Sequence, residues 1–200
     1  MAKDRGLVDS RDYPFGKNKI KMKPGKSTKI GLNEAEIRAI EGLELEKGTG
    51  IWHARNVFLF SFYFAGMRVS DVLRTKWSDI VDGRLYYTMG KNSKPGSVKL
   101  PEKVKPIVEA YKCEQQSKDD FIFPELKKAN IKDDKDVFRK IRTATKKFGY
   151  YLKAIAETLE IDKNMSMHIA RHSFGNISKG QIPPDILQML YRHTHISTTI

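Results

Sequence analysis

Cysteine is almost missing from this chain of 200 residues, long apolar runs are missing altogether, and acidic residues are in short supply. A single cysteine, Cys113, excludes an internal disulfide framework and fits a reducing compartment. The longest uncharged apolar run, Asn56–Met67, falls well short of the roughly 20 residues that a membrane span needs. Residues Met1–Asp12 carry Lys3, Asp4, Arg5, Asp9, Arg11 and Asp12 with no apolar stretch, which argues against a secretory signal. The expectation is a cytoplasmic protein with no membrane partner. The shortage of acid is itself informative: 24 Asp and Glu stand against 37 Lys and Arg, for a net charge of +13. Such a surface concentrates polyanions, of which nucleic acid is the commonest, although a basic protein with no polyanion partner satisfies the same count. What the chain does hold, 40% hydrophobic and 10% aromatic residues, is enough for a core and excludes global disorder. The length suits one domain plus a tail.

Residues 1–31 read as that tail. KNKIKMKPGKSTK alternates lysine with small or polar residues, and Pro24-Gly25 breaks any regular element. Nine positive and three negative side chains lie in this stretch, so a DNA-hugging strap and a solubilising linker are both open readings. Order begins near Leu32, where Asn33 and Glu36 have capping-box spacing and Ile37, Ile40 and Leu43 mark one apolar face. IWHARNVFLFSFYFAGM is apolar almost all round, as a central helix is, and Gly66 ends it. Val69, Val72, Leu73 and Trp77 predict a second short helix. Asp82-Gly83 is a turn signal, and RLYYTM followed by SVKLP predicts a β-hairpin with GKNSKPG at its tip. A long amphipathic helix is expected from Asp134 to Glu160, with Gly149 a candidate break, then two more over Met167–Ser178 and Pro184–Arg192. There are no internal repeats. The fold class is mainly α with a small antiparallel β-sheet, α+β in kind.

Four places concentrate polar residues that a core and a surface do not require. In AGMRVSDVLRTKW, Arg68 sits between the central helix and its successor, where an arginine also commonly serves helix-end carbonyls. In GKNSKPG, Lys91 lies at a hairpin tip, where lysine also blunts sheet edges. In HIARHSF, His168, Arg171 and His172 are spaced to share one helical face. The His168–His172 pair has the i, i+4 spacing of a zinc site, but Ile169 replaces the glutamate of the metalloprotease pattern and no cysteine spacing supports it. In YRHTHISTT, His193 and His195 are surface residues on the plainer reading.

Taken in order, these four patches resemble the tyrosine recombinases of the phage-integrase family. That family has arginine in A-G-x-R-x-S-[DE], lysine on a hairpin after glycine, His-x-x-Arg-His-[ST]-[FL], then a histidine followed by x-x-[IL]-S-T-T. The resemblance runs from about Leu32 to Ile200 and implies a catalytic domain over 32–200, led into by a basic linker over 1–31. It puts Arg68, Lys91, His168, Arg171 and His193 at catalytic positions, with Asp71 and His172 in support. It also implies double-stranded DNA as partner, a tetramer of the full-length protein on recombining DNA, a monomeric isolated domain, service to a mobile element, and association with the nucleoid in the cytoplasm.

The chemistry suits those residue types. A tyrosine attacking a phosphodiester builds charge on the non-bridging oxygens, and two guanidiniums can grip those oxygens in a planar fork. Lys91 could give the departing 5′ oxygen its proton, His168 could take or return the tyrosine proton, and His193 could add a hydrogen bond. Such a cluster removes the need for a metal ion, and a 3′-phosphotyrosine ester stores the energy of the broken bond, which removes the need for ATP. Three departures stand out. Asp71 is shorter than the frequent glutamate, and Arg192 stands where glycine is usual. The family nucleophile belongs about nine residues beyond the motif histidine, near position 202, while the sequence ends at Ile200. Tyr191 precedes His193, and Tyr13, Tyr63, Tyr86, Tyr87, Tyr111, Tyr150 and Tyr151 read as core or surface. The 200-residue chain is therefore expected to lack cleavage activity. The rival readings are a type IB topoisomerase-like enzyme, a non-catalytic DNA-binding regulator of the same fold, and a histidine metalloenzyme.

Overall fold

A computed structural model describes residues 31–88 and 95–191. The first helix, α1 (Glu34–Gly42), starts at the expected capping box: Asn33 Oδ1 accepts from the Glu36 N–H at 2.9 Å, and the Glu36 carboxylate accepts from the Asn33 N–H at 2.7 Å. The chain just before it is pinned across the molecule, with the Leu32 N–H donating to Ser173 Oγ at 2.8 Å. Next, α2 (Gly50–Tyr63) buries Val57, Phe58, Leu59 and Phe60 in succession, so every face of its last two turns meets protein. It packs against α5 (Asp134–Thr158) and α6 (Ile169–Ser178). The inner face of α5 is Val137, Ile141, Ala144, Phe148, Leu152 and Ile155, at the three- and four-residue spacing of one helical stripe.

Two expectations need correction. Gly149 does not interrupt α5, which runs through it because both neighbouring turns keep their apolar stripe. The helix expected over Val69–Trp77 is a single turn, α3 (Val69–Val72), and Trp77 opens a separate 3₁₀ turn, Trp77–Asp79. The cause lies in the partner strand. Lys76 bridges to Phe121, the Trp77 N–H donates to Asp120 O at 3.0 Å, and the Ile122 N–H donates to Thr75 O at 3.0 Å. Backbone bonds to that buried 120–122 segment replace the ones a longer helix would make.

The sheet is antiparallel in the order β1 (Ile80–Val81), β2 (Arg84–Thr88), β3 (Pro95–Lys99). Asp82 and Gly83 both adopt positive φ, 48° and 69°, the pair of values a two-residue type I′ hairpin needs. Asp82-Gly83 thus joins a short extra strand to β2. Leu85 of β2 is buried in the core, and Tyr87 packs half-buried against it. The tip of the second hairpin, with Lys91, lies outside the described residues. After β3 come α4 (Lys105–Tyr111), three irregular 3₁₀ turns around it, then α5, α6 and α7 (Pro184–Tyr191). The expected fold class matches this architecture. Among the described residues, no helix is long and apolar enough to cross a membrane.

Candidate active site

The site begins where α2 stops. Ala65 and Gly66 take φ of 55° and 66°, which turns the chain sharply before Arg68 caps the start of α3. Ser61 holds this turn closed: its hydroxyl donates to Met67 O at 2.6 Å, and its own carbonyl accepts from the Met67 N–H at 3.0 Å. Gly66 is required twice over, by its positive φ and because a Cβ there would collide with the Cα of Arg171 on α6. The motif glycine is what lets the Arg68 turn lie against the Arg171 helix.

Arg171 is 7% exposed. Its Nη1 donates to Gly66 O at 3.2 Å and its Nη2 to Tyr191 O, at the end of α7, at 3.0 Å. The carbonyl-serving role considered for Arg68 therefore falls in part to Arg171. Burial, and next the nearby positive charge of Arg68, push the Arg171 guanidinium down to about 10, with Tyr191, Tyr87 and Asp71 pulling the other way. It stays charged at neutral pH, in a position where positive charge is costly. Asp71, on α3, is buried, and Tyr87 brings β2 into the same electrostatic neighbourhood.

His168 is the exposed N-cap residue of α6, and its ring meets that of His172 edge-on at 4.8 Å. Arg68, Ser70, Thr145, Ser166, His168 and Arg171 all line one cavity of about 290 Å³. Residues from the α2–α3 junction, the middle of α5 and the start of α6 thus converge. Lys91 and His193 lie outside the described residues. Among the described residues, no group of three or more His, Cys, Asp or Glu side chains is placed to hold a metal ion.

Sequence reasoning missed two parts of this site. Thr145 reaches the cavity from α5, its hydroxyl bonded to Ile141 O at 2.7 Å, and a threonine within a helical stretch gives no sign of that. Tyr191, set aside for preceding His193, packs on Arg171: the guanidinium carbon lies 3.8 Å from the centre of its ring. Burial pushes the Tyr191 phenol up to about 12, against the opposing charge of Arg171, so it remains a hydrogen-bond donor at any ordinary pH.

A mainly helical domain with a three-stranded sheet, gathering two arginines and a histidine around one cavity, defines a class that comparison makes specific. Residues 44–200 match the model of the phage integrase family. A tyrosine recombinase of Thermosipho africanus is 32% identical over 141 residues, covering 68% of this chain and 44% of that protein. The XerH site-specific recombinase bound to its difH substrate, in a pre-cleavage complex, superposes with a TM-score of 0.64 at 19% identity, over 98% of this chain and 55% of the other. A lambda integrase (75–356) dimer bound to a COC′ core site gives a TM-score of 0.59, also at 19% identity, over 88% of this chain and 61% of the other. The chain belongs to the phage integrase family, the tyrosine recombinases, and has the fold of their catalytic domain. It spans less than half the length of the Thermosipho africanus relative.

Proposed function

We propose that this chain is the catalytic domain of a site-specific DNA recombinase that cuts and rejoins duplex DNA through a 3′-phosphotyrosine intermediate. The observation that carries the reading is the convergence of Arg68, His168 and Arg171 on one cavity, although Arg68 and Arg171 lie more than a hundred residues apart in the chain. In this scheme Arg68 and Arg171 grip the non-bridging oxygens of the scissile phosphate, a task that repays the cost of holding two guanidiniums near each other. His168, at the exposed edge, takes and returns the tyrosine proton. His172 packs against its ring, and the buried Asp71 offsets the positive charge of Arg171. Lys91 protonates the 5′ leaving oxygen, and His193 donates a further hydrogen bond to the phosphate.

The domain in this scheme is 32–200, with 1–31 a basic linker. The domain by itself is a monomer, and the longer recombinase assembles as a tetramer on recombining DNA. The setting is the cytoplasm, at the nucleoid, in the service of an integrative element.

The attacking tyrosine, near position 202 by motif spacing, is not among these 200 residues. The test is a nicked duplex suicide substrate run on a denaturing gel. A chain extended to supply that tyrosine forms a DNA-linked band. The same extension with phenylalanine forms none, and neither does the 200-residue chain. Arg171→Gln in the extended chain slows adduct formation by about 10²–10³. A covalent band from the 200-residue chain itself overturns the assignment of the nucleophile, and an undiminished rate in Arg171→Gln overturns the phosphate grip.

A further inference from the structure

We propose that Tyr191 is a positioning residue for Arg171: its ring holds the guanidinium plane so that the in-plane N–H donors point at backbone acceptors and a phosphate. The inference rests on the phosphate-gripping role given to Arg171. Three contacts join the two residues, and they interlock. The Arg171 guanidinium carbon sits 3.8 Å from the Tyr191 ring centre. Arg171 Nη2 donates to Tyr191 O at 3.0 Å, while the Tyr191 hydroxyl reaches back to donate to Arg171 O at 2.6 Å. Both side chains are 7% exposed, and the hydroxyl is seated over Gly175, where an added Cβ would come within 2.8 Å of it.

The division of labour between face and edge is the physical point. A guanidinium binds oxygens only along its edge, where its N–H groups lie, and its flat face is left to packing. An arginine side chain has several rotatable bonds, so a guanidinium without a fixed face would lose much of its binding energy in being ordered. An aromatic ring stacked at this distance fixes the plane, adds cation–π attraction, and consumes no edge donor. An aliphatic residue of similar size could fill the space but would not select the plane. The clasp also joins α7 to α6, and the chain runs from Tyr191 directly to the His193 segment. Docking of α7 therefore sets the orientation of Arg171.

The test is the salt dependence of duplex DNA binding by the 200-residue chain, whose log–log slope reports the phosphates neutralised. Arg171→Gln lowers the slope magnitude by about one unit. Tyr191→Met lowers it by the same amount, and the double variant shows no further fall, because in the glutamine background there is no guanidinium left to position. Tyr191→Phe keeps the ring face and the wild-type slope. A purely structural tyrosine predicts the opposite pattern: the methionine change would weaken binding equally in both backgrounds. An unchanged slope in Arg171→Gln overturns the phosphate grip, and this inference with it. A fall in Arg171→Gln with none in Tyr191→Met overturns the positioning role alone. Should Tyr191→Met not fold by circular dichroism, Tyr191→Phe still decides, since a slope as low as that of Arg171→Gln would show that the ring face is not what holds the plane.

Discussion

Two buried tyrosines anchor two polar clusters in this molecule, and the clusters are built on opposite plans. Around Tyr111, His53 is satisfied at both ring nitrogens, Nδ1 at 2.7 Å from the Tyr111 hydroxyl and Nε2 at 2.6 Å from the Glu125 carboxylate. Tyr111, Phe123 and Phe148 surround the imidazole with aromatic rings, and burial drives the Tyr111 phenol above its usual range. The groups here are complementary: a carboxylate, an imidazole and a phenol. Around Tyr191, two arginines lie close enough for one to depress the other, and the cluster opens on a cavity. A sealed cluster of opposite or neutral partners supports a fold, whereas like charges gathered at a cavity mark a place prepared for an anion. A single helix serves both, for α5 sends Phe148 to the closed cluster and Thr145 to the open one.

The comparison can be broken most severely at Gly66. Alanine there must adopt positive φ and must also push against the Arg171 backbone, which has no flexible end to yield. We expect a loss of about 3 kcal/mol or more in urea unfolding, far beyond an ordinary surface change. A near-native midpoint for Gly66→Ala would show that the α2–α3 turn does not depend on this close approach.

The histidines give the next largest effect, and the sharper contrast. His53→Ala takes one hydrogen-bond partner from each of Tyr111 and Glu125 in a largely closed setting, with side-chain exposures of only 16% and 15% for His53 and Glu125. It is expected to cost roughly 2–3 kcal/mol of stability with little change in DNA affinity. His168→Ala removes an exposed ring and is expected to stay within about 0.5 kcal/mol of wild type, while abolishing most cleavage in a chain extended to carry the tyrosine. Denaturation curves and the suicide-substrate gel, run on both variants, read the two halves. Equal stability losses would mean that both clusters are structural.

How much of this was legible before folding depended on the range of the interaction. The Asn33–Glu36 box, the all-round apolar α2 and the stripe of α5 are local periodicities, and local spacing reveals them. The single-turn α3 was not legible, because what stops the helix is the backbone of residues 120–122, some forty positions away in the chain. Motif order brought Arg68, His168 and Arg171 to attention, but nothing in their spacing says that Gly66 must be glycine to admit the Arg171 backbone. The ring stacked on Arg171 was likewise hidden, since a tyrosine at a helix end reads the same whether it faces solvent, core or a guanidinium. The His53 cluster was invisible for the same reason. Its three members are drawn from α2, α4 and the 3₁₀ turn Pro124–Leu126, and each alone is an unremarkable polar residue.

The smallest effect expected is also the one that addresses the open cluster without mutation. Burial and Arg68 hold Arg171 down at about 10, so the folded state carries an uncomfortable positive charge throughout the neutral range. An oxyanion bound beside the two arginines relieves that cost in the native state and has no equivalent site in the unfolded chain. Inorganic phosphate at ten times its dissociation constant should then stabilise the fold by about 1.4 kcal/mol, by mass action alone. Sodium chloride at matched ionic strength serves as the control, since general screening acts on all 37 lysines and arginines and is not specific to the cavity. The increment should vanish in Arg171→Gln and survive in His53→Ala, whose baseline is lower but whose cavity is intact. If phosphate instead raises the melting temperature of Arg171→Gln as much as that of wild type, the anion is binding elsewhere on the basic surface, and the distinction between the two clusters loses its electrostatic basis.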